Sequence, residues 1–327
     1  RRAAARGGPR RGGVTAVPPS AGAGGHHPPP RLVVRGVEVD LSAPVLMGIV
    51  NATPDSFSDA GRDPTTEARV ARAVELAAAG AAIVDVGGQS GVTGVPEVPV
   101  GDEVARVVPV VAAITAAAPD LLVSVDTYRP EVVRAVLDAG AAIVNDVSGL
   151  RHPEVGRLCA AAGAGLVVMH TRARPKVKVL DDGLYDEAGG VVDDVVDFLA
   201  GRLAGAAEAG IAPEATIVDP GPDFAKTPRQ TVDVLRGLDR VAALGRPVLL
   251  ALSRKDFVGA VTGQPPQRRL AGTLAAVGAL AGPGTILRVH DVAAVADYLA
   301  VAAVLAGDAD LPTTTRLPDD LRHTRRS

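Results

Sequence analysis

A short run of apolar, mostly β-branched residues recurs eight times along the chain, and an alanine-rich amphipathic stretch typically follows each run. The runs do not alternate strictly between apolar and polar residues, as expected of strands covered on both faces in a parallel sheet. Regular alternation of strands and helices also indicates a parallel sheet with right-handed crossovers. The runs are PVLMGIVN, AAIVDVGG, LLVSVDT, AAIVNDVSG, AGLVVMHT, ATIVDPG, PVLLALSRK and TILRVHDV.

Two parallel-sheet folds fit this alternation, and the number of units separates them. Eight units in about 275 residues match a (β/α)8 barrel. A doubly wound sheet would normally carry a glycine fingerprint after its first strand, whereas NATPDS follows the first run here. We therefore predict an α/β fold, a (β/α)8 TIM barrel in a single domain spanning residues 31–307. Helix stops are expected at Gly80, Gly140, Gly163 and Gly210, and first helical turns at Pro130 and Pro153.

The two ends of the chain differ in composition from the barrel segment. Residues 1–30 hold five Arg, no acidic residue and many Gly, Pro and Ala, and they lack the apolar region of a signal peptide. We expect this segment to be a disordered tail and residues 308–327 to form a second one. His26 and His27 are interpreted as part of the low-complexity run rather than as metal ligands.

Composition limits the classes of partner and compartment. Aromatic residues make up only 2% of the chain, so Ala, Val and Leu must fill the core. The net charge of −3, without a basic stretch interleaved with aromatics, argues against a nucleic-acid partner. No uninterrupted apolar segment reaches the roughly 18 residues needed to cross a bilayer, which argues against a membrane protein. The single Cys159 is expected to be a core residue in a reducing compartment, so we predict a cytoplasmic protein.

All eight predicted strands end in polar or charged residues. In a parallel barrel these ends meet at one face, where barrel enzymes carry their active sites. Each residue also has a purely structural interpretation: Asp126 and Asp219 could organise turns, and His170 could be a core histidine. The coincidence of all eight nevertheless favours a shared site. The strand-end residues are Asn51, Asp85, Asp126, Asn145 with Asp146, His170, Asp219, Lys255, and Arg288 with His290.

Several common active-site motifs do not occur in the sequence. Without HExxH, a Cys and His cluster or a paired CxxC, a zinc ion held by protein ligands alone is not expected. No G-x-S-x-G elbow supports a serine hydrolase, and GPDFAKT lacks the glycine spacing of a phosphate loop before Lys226. The strand ends instead offer carboxylates and amides for a planar polar ring, with Arg288 and His290 for a phosphate or diphosphate.

Eight segments of the chain resemble, in order, the motifs of the dihydropteroate synthase family. The likeness extends from about Val45 to about Gly307. It implies a barrel enzyme of folate biosynthesis that condenses 6-hydroxymethyl-7,8-dihydropterin diphosphate with 4-aminobenzoate to give 7,8-dihydropteroate and diphosphate. It further implies Mg²⁺ as cofactor and a homodimer as the assembly. The segments are MGIVNATPDSFSD, IVDVGGQS, SVDTYRPEV, IVNDVSG, VMHT, DPGPDFAKT, SRKDFVG and RVHDV.

The resemblance also implies roles for individual residues. Diphosphate would leave first, helped by the metal and cations, and a ring-stabilised carbocation would form near Asp126. Phe57 would be a mobile aromatic lid over the second substrate, or else a loop residue packed on the barrel rim. The implied catalytic residues are Asp126, Lys255 and Asp85; the pterin site comprises Asp126, Asn145, Met169, Asp219, Phe224 and Lys255; the diphosphate site comprises Asn51, Arg288 and His290; the metal ligand is Asn51; and the aminobenzoate side comprises Phe57, Ser90 and Asp256.

The sequence departs from the family pattern mainly on the expected aminobenzoate side. The second loop reads GGQSGVTG where the family usually has GGESTRPG, so Gln89, Gly91, Val92 and Thr93 replace Glu, Thr, Arg and Pro. Asp256 stands where many relatives have Ser or Arg. The Asp256 carboxylate would repel the carboxylate of 4-aminobenzoate. At a separation of about 4 Å and an effective dielectric constant of about 20, this repulsion is up to about 4 kcal/mol.

Two further segments bear on this side of the site. Pro222 and Asp223 replace an aliphatic residue and a glycine of the family pattern. The basic segment TRARPKVKV either supplies the missing cation or forms a solvated loop. Its candidate cations are Arg172, Arg174 and Lys176.

Two hypotheses for function follow. The first is a working dihydropteroate synthase with a remodelled second loop. The second is a pterin-binding paralogue with a lost or altered aminobenzoate site and no synthase activity. A pterin-binding methyl-transfer domain shares the barrel but is not expected to carry TPDSFSD or the Arg-x-His pair of RVHDV.

Overall fold

The computed structural model describes residues 30–52, 65–89, 94, 96–318 and 321. A two-stranded hairpin, β1 (Leu32–Val34) and β2 (Val37–Val39), precedes eight parallel strands. Those strands are β3 (Val45–Asn51), β4 (Ile83–Gly87), β5 (Leu122–Asp126), β6 (Ile143–Asp146), β7 (Gly165–Met169), β8 (Thr216–Asp219), β9 (Val248–Leu250) and β10 (Thr285–Val289). They pair in chain order, and β10 pairs with both β9 and β3. The closed barrel confirms the predicted (β/α)8 fold.

Helices surround the barrel and connect its strands. Gly80, Gly140, Gly163 and Gly210 all have positive φ angles after helices, as the sequence predicts for helix stops. The helices are α1 (Thr66–Ala78), α2 (Val100–Ala117), α3 (Pro130–Asp138), α4 (Pro153–Ala162), α5 (Val191–Glu208), α6 (Pro228–Arg236), α7 (Leu238–Ala242), α8 (Asp256–Thr262), α9 (Leu270–Leu280) and α10 (Val292–Ala306).

The β1–β2 hairpin closes the amino-terminal end of the barrel, a feature that the sequence pattern did not reveal. Its turn residues Arg35 and Gly36 both have positive φ, which suits the right-handed twist of a tight hairpin. Leu32 and Val34 are fully buried and belong to the same apolar cluster as the barrel interior. The Arg35 amide donates to the Gly163 carbonyl at 2.6 Å, just before β7 begins. The opposite end of the barrel therefore carries the open rim.

Strand register sets the neighbours at that open rim. Asp126 is aligned with Asn145 across β5 and β6, and Met169 is aligned with Asp219 across β7 and β8. Since all eight strands run parallel, their carboxyl ends converge on one face. The fold thus places the polar strand ends together, as the sequence predicts.

The remaining expectations concern the core and the ends of the chain. Cys159 is buried, and burial together with the charge of Asp146 raises the pKa of its thiol to about 12, as fits a core residue. None of the helices in the described residues has the length and apolarity to span a membrane. Most of the N-terminal tail, residues 1–29, lies outside the described residues, as do residues 319–320 and 322–327 of the C-terminal tail.

Candidate active site

Five side chains form one hydrogen-bonded cluster at the open rim. Asp85 is fully buried and accepts from the Arg288 Nε at 2.6 Å, the Ser124 hydroxyl at 2.6 Å and the Asn145 Nδ2 at 3.1 Å. Both Asp85 oxygens are therefore occupied. The Asp85 carboxylate fixes the orientation of the guanidinium and the carboxamide, as buried charges require partners. We call Asp85, Ser124, Asn145, Arg288 and Asp126 the rim cluster.

Asp126 stands at the exposed side of the rim cluster. The Arg288 Nη2 lies 3.4 Å from its Oδ2, and its side chain keeps 27% of its surface exposed. Burial, followed by the negative charge of Asp85, raises the pKa of Asp126 to about 7, although the Arg288 charge opposes this shift. A carboxyl group that titrates near neutrality is typical of functional sites.

Asn145 is buried but has one atom without a partner. Its Nδ2 donates to Asp85, whereas its Oδ1 accepts no hydrogen bond from the described residues. A buried acceptor without a donor costs about 1–3 kcal/mol, so such atoms usually meet a ligand or water. The rim cluster is therefore arranged to receive a hydrogen-bond donor at Asn145 Oδ1.

Asp219 and Lys255 lie on the other side of the rim. The Asp219 Oδ1 accepts a hydrogen bond from the Gly221 amide at 2.7 Å. Burial raises the pKa of the Asp219 carboxyl group, although this hydrogen bond lowers it. The Lys255 Nζ donates to the Pro222 carbonyl at 2.9 Å and lies 4.6 Å from the centre of the Phe224 ring. Burial lowers the Lys255 pKa against the charges of Asp223 and Asp219. An ammonium, a carboxylate and an aromatic face are thus grouped at one wall.

The segments after β7 and β8 position these groups. Met169 ends β7 and is 1% exposed beneath the rim. The loop of residues 220–227 follows β8 and contains Asp223 and Ala225, whose φ angles are +67° and +51°. Asp and Asn tolerate this left-handed conformation better than most residues, which explains an Asp where the family pattern has Gly.

The sequence matches the family described as pterin binding enzyme over residues 47–290. This chain belongs to that family. The dihydropteroate synthase of Streptococcus pyogenes serotype M1 is 43% identical over 219 residues, which cover 67% of this chain and 78% of the streptococcal one. The chain is also similar to a solved structure of Xanthomonas albilineans dihydropteroate synthase with 4-aminobenzoic acid. That comparison has a TM-score of 0.77 and 42% identity, and it covers 85% of this chain and 98% of the other.

One relative within the pterin-binding family bears on activity. A Mycobacterium leprae protein named inactive dihydropteroate synthase 2 is 40% identical over 242 residues, which cover 74% of this chain and 83% of that one. Membership of the family is therefore compatible with either presence or absence of synthase activity.

The resemblance assigns Asn51, Arg288 and His290 to the diphosphate side of the site, and the structure shows their surroundings. Asn51 ends β3 and is exposed. The His290 Nδ1 pairs with the Ser253 hydroxyl at 2.9 Å. Burial and the neighbouring Arg254 and Arg288 lower the His290 pKa to about 4. His290 is thus neutral near pH 7, and any anion contact it makes would use an N–H donor rather than a charge.

The aminobenzoate side is only partly described. Phe57 and Ser90 lie outside the described residues, as do Gly91, Val92 and Thr93. Asp256 is described: its amide donates to the Asp223 Oδ2 at 2.5 Å, and its carboxylate pairs with Arg269 at 3.1 Å. Arg269 therefore offsets part of the negative charge that the sequence places here.

The described end of the second loop explains one departure from the family pattern. The Gln89 Nε2 donates to Glu103 at 2.6 Å, and this buried carboxylate also accepts from Thr127 and Arg129. A glutamate at position 89 would face the Glu103 carboxylate. The amide removes that repulsion.

The three candidate cations of the TRARPKVKV segment have different positions. Arg172 pairs with Asp194, away from the rim cluster. The backbone carbonyl of Lys176 accepts a hydrogen bond from the Gly94 amide at 2.9 Å. The Lys176 side chain is half-buried, and its ammonium is close enough to Asp126 and Glu103 to interact with both charges. Arg174 is exposed. Of the three, Lys176 is placed to act on the rim cluster.

The structure also resolves the alternatives for His170 and shows what the strand-end residue Asp146 does. His170 is fully buried, with its Nε2 2.8 Å from Asp194 and its Nδ1 2.8 Å from the Lys226 ammonium, so it is a core histidine. Asp146 accepts the Ser148 and Leu150 amides and organises the turn after β6. The sequence gives no signal for the burial of Lys226, which stands in the short segment GPDFAKT beside Phe224 and Ala225.

Proposed function

We propose that this protein is a dihydropteroate synthase, condensing 6-hydroxymethyl-7,8-dihydropterin diphosphate with 4-aminobenzoate. The observation that carries the proposal is the unpaired Asn145 Oδ1, buried in a cluster with Asp85, Asp126 and Arg288. A pterin edge carries adjacent donors and acceptors, which carboxylates and amides can pair. The family membership and the Xanthomonas enzyme that binds 4-aminobenzoic acid support the same reaction.

In the proposed reaction, each group at the rim has a definite task. The bond between the pterin methylene carbon and the diphosphate oxygen breaks, and the electron pair leaves with diphosphate. The ionised Asp126 stabilises the cation that remains on the methylene carbon and ring, as a fixed charge does best in a partly buried site. The 4-aminobenzoate nitrogen then forms the new C–N bond and loses a proton. Lys255 and Asp219 hold the ring, with Phe224 and Met169 lining its slot.

Arg288 connects the two halves of this reaction. Its Nε is held by Asp85, and its Nη2 faces Asp126. A guanidinium anchored at one edge retains other N–H donors for an anion. We infer that Arg288 neutralises the leaving diphosphate, with neutral His290 as an N–H donor beside it.

We propose that Mg²⁺ arrives with the diphosphate. Among the described residues, no group of three or more His, Cys, Asp or Glu is arranged to hold a metal ion. The exposed Asn51 carboxamide at the end of β3 offers one oxygen, and Mg²⁺ commonly combines one or two protein ligands with substrate phosphates and water. When bound, the ion would neutralise charge on the leaving group.

The assembly is proposed to be a homodimer in the cytoplasm. Helix α10 exposes Val301 and Leu305 by 60% and 82%, and Leu311 is also exposed beyond its end. An apolar surface of this kind suits contact with a second copy of the chain. Sedimentation equilibrium of the purified protein measures the mass of the assembly.

The second candidate function is a pterin-binding paralogue without synthase activity. Asp223 and Asp256 place two carboxylates beside the amino-terminal end of α8, where the resemblance expects the aminobenzoate carboxylate. The inactive Mycobacterium leprae relative lends weight to this alternative. Under it, the rim cluster binds the pterin but no C–N bond forms.

One assay separates the two functions. The purified protein is incubated with dihydropterin diphosphate, 4-aminobenzoate and Mg²⁺, and both dihydropteroate and diphosphate are measured. Product that falls at least about 100-fold in Lys255→Ala, but not in the exposed control Lys178→Ala, supports the synthase. Pterin binding without product supports the paralogue, and then Val92→Arg with Asp256→Ser should raise activity if these departures cause the loss. A protein that neither binds a pterin nor forms product contradicts both.

A further inference from the structure

A buried lysine outside the rim cluster holds the loop after β8. Lys226 is 1% exposed and is among the largest fully buried side chains. Its Nζ lies 2.8 Å from the His170 Nδ1 and donates to the carbonyls of Gly221 at 3.0 Å and Phe224 at 3.1 Å. An ammonium has three protons, so these three acceptors satisfy it completely.

The side chains behind Lys226 fix its hydrogen-bond partner. The His170 Nε2 donates to the Asp194 carboxylate at 2.8 Å, and Arg172 pairs with the same carboxylate. With its proton on Nε2, His170 presents the lone pair of Nδ1 to the ammonium. Burial and the Lys226 charge lower the His170 pKa to about 4, so the ring stays neutral. We call Arg172, Asp194, His170 and Lys226 the inner chain.

The loop that Lys226 contacts has a backbone that requires support. Gly221, Asp223 and Ala225 have φ angles of +64°, +67° and +51°. A Cβ atom at Gly221 would lie 2.1 Å from the His170 carbonyl oxygen, so the two segments touch closely. Non-glycine residues in the left-handed region cost free energy and persist only when surrounding contacts hold them.

The same loop presents three groups to the rim. The Pro222 carbonyl accepts from Lys255 at 2.9 Å, and the Phe224 ring centre is 4.6 Å from the Lys255 Nζ. The Gly221 amide donates to Asp219. Lys226 binds the carbonyls of Gly221 and Phe224, on either side of Pro222. A shift of these two carbonyls would therefore move the partners of both Asp219 and Lys255.

We propose that Lys226 is a positioning residue for the pterin subsite, which acts through the loop of residues 220–227 on Asp219, Phe224 and Lys255. The inference rests on the proposed pterin site and adds to it a residue that does not touch the ligand. A buried charge is expensive, and an apolar side chain of similar size often replaces it without loss of stability. Retention of an ammonium therefore fits a requirement for its three directed donors. Burial lowers the Lys226 pKa to about 7, and the positive charge of Lys255 lowers it further. The negative charges of Asp219, Asp194 and Asp223 oppose this shift.

The test compares Lys226→Met with Ile114→Ala. Ile114 is fully buried near the carboxyl end of α2, a helix that packs mainly against α1, α3, β4 and β5, so its truncation is a core substitution remote from the loop. Two quantities are measured: the Kd for 6-hydroxymethyl-7,8-dihydropterin, and hydrogen–deuterium exchange of the peptide covering residues 219–227. Lys226→Met is expected to weaken pterin binding at least about tenfold and to speed exchange in that peptide. Ile114→Ala is expected to change neither.

The outcomes separate this inference from the proposed function. Unchanged Kd and unchanged exchange in a folded Lys226→Met protein overturn the positioning role. If Lys226→Met does not fold, Lys226→Gln takes its place, because it keeps a polar side chain but removes the charge and one of the three donors. A Kd and an exchange rate equal to those of the parent protein then overturn the role equally. A parent protein that binds no pterin contradicts the proposed function, and the exchange comparison then still decides whether Lys226 holds the loop.

Discussion

The rim cluster and the inner chain contain similar types of residue but differ in whether their polar atoms have hydrogen-bond partners. In the rim cluster, Asn145 Oδ1 has no hydrogen-bond partner within the described part of the chain, and Asp126 keeps part of its surface exposed. In the inner chain, both ring nitrogens of His170 are hydrogen-bonded, one to Asp194 and the other to Lys226. The three protons of the Lys226 ammonium each have an acceptor. One network is incomplete without a ligand, and the other is complete without one.

This difference shows how a charged network can be interpreted from its unpaired atoms. A satisfied buried network rigidifies its surroundings, whereas an unsatisfied acceptor carries a free-energy cost that a bound donor removes. The rim cluster is thus suited to binding, and the inner chain to holding the loop that faces it. Substitutions at the ligand-facing atoms of the rim cluster should therefore change pterin affinity directly, and substitutions in the inner chain should change it only through the loop.

The largest expected effect comes from removing the central carboxylate of the rim cluster. Asp85→Ala leaves the Arg288 guanidinium, which is 21% exposed, without its closest anion. Loss of one partner of a buried pair costs about 3–5 kcal/mol of unfolding free energy. Arg172→Ala should cost less, because Arg172 is 47% exposed and Asp194 keeps the His170 Nε2 as a partner. Urea denaturation measures both, and a smaller loss for Asp85→Ala than for Arg172→Ala would contradict the ranking.

A smaller effect is expected from Asn145→Leu, which tests the unpaired acceptor. Pterin affinity should fall about 10- to 100-fold, since one hydrogen bond to a buried acceptor is worth about 1–3 kcal/mol when its partner is left unpaired. Ser124→Ala is the matched control, because Ser124 also donates to Asp85 but leaves Asn145 Oδ1 in place. Calorimetric titration with the pterin gives both affinities. Equal losses in the two variants would show that Asn145 acts only through Asp85.

The third expected effect is a pH dependence at Asp126, which appears as a trend across pH rather than as a loss at one pH. Its folded pKa, about 7, is above the ordinary value of 3.8, so its contribution to stability is present below about pH 4 and is lost as the pH rises through 7. Asp126→Asn should therefore gain stability relative to the parent protein as the pH rises from 4 to 8. Thermal unfolding across this range measures the difference.

The Asp126 carboxyl group should also make pterin affinity depend on pH, and in the direction opposite to that of stability. The ionised Asp126 accepts hydrogen bonds from ring donors, so pterin affinity should rise with pH through about 7 and flatten in Asp126→Asn. An identical pH profile for the two proteins would remove Asp126 from the site.

Much of the fold was predictable from the sequence for a specific reason. Most residues of the barrel strands are buried, so the apolar runs are easily recognised, as in Gly165–Met169. The β1–β2 hairpin was missed because its strands have only three residues each and pack against the barrel end rather than within a repeat. Short segments carry too little periodicity to be distinguished from loops.

In the candidate site, likewise, the residues at strand ends were predictable and those placed by loops and helices were not. Strand-end residues such as Asp85 and Asn145 were found because parallel strands bring their carboxyl ends together. The inner chain was not recognised as a network, because its members come from the segment after β7, the loop after β8 and α5, and only their side chains meet. The pairing of Asp256 with Asp223 and Arg269 likewise depends on a left-handed loop residue that the sequence does not reveal.

A crystal structure of the chain with 6-hydroxymethyl-7,8-dihydropterin tests the central claim most directly. The rim cluster predicts that a ring N–H lies about 3 Å from Asn145 Oδ1, with a second donor on Asp219 and the hydroxymethyl group directed towards Arg288. A pterin bound elsewhere, or an Asn145 Oδ1 that contacts only water in the complex, would contradict it.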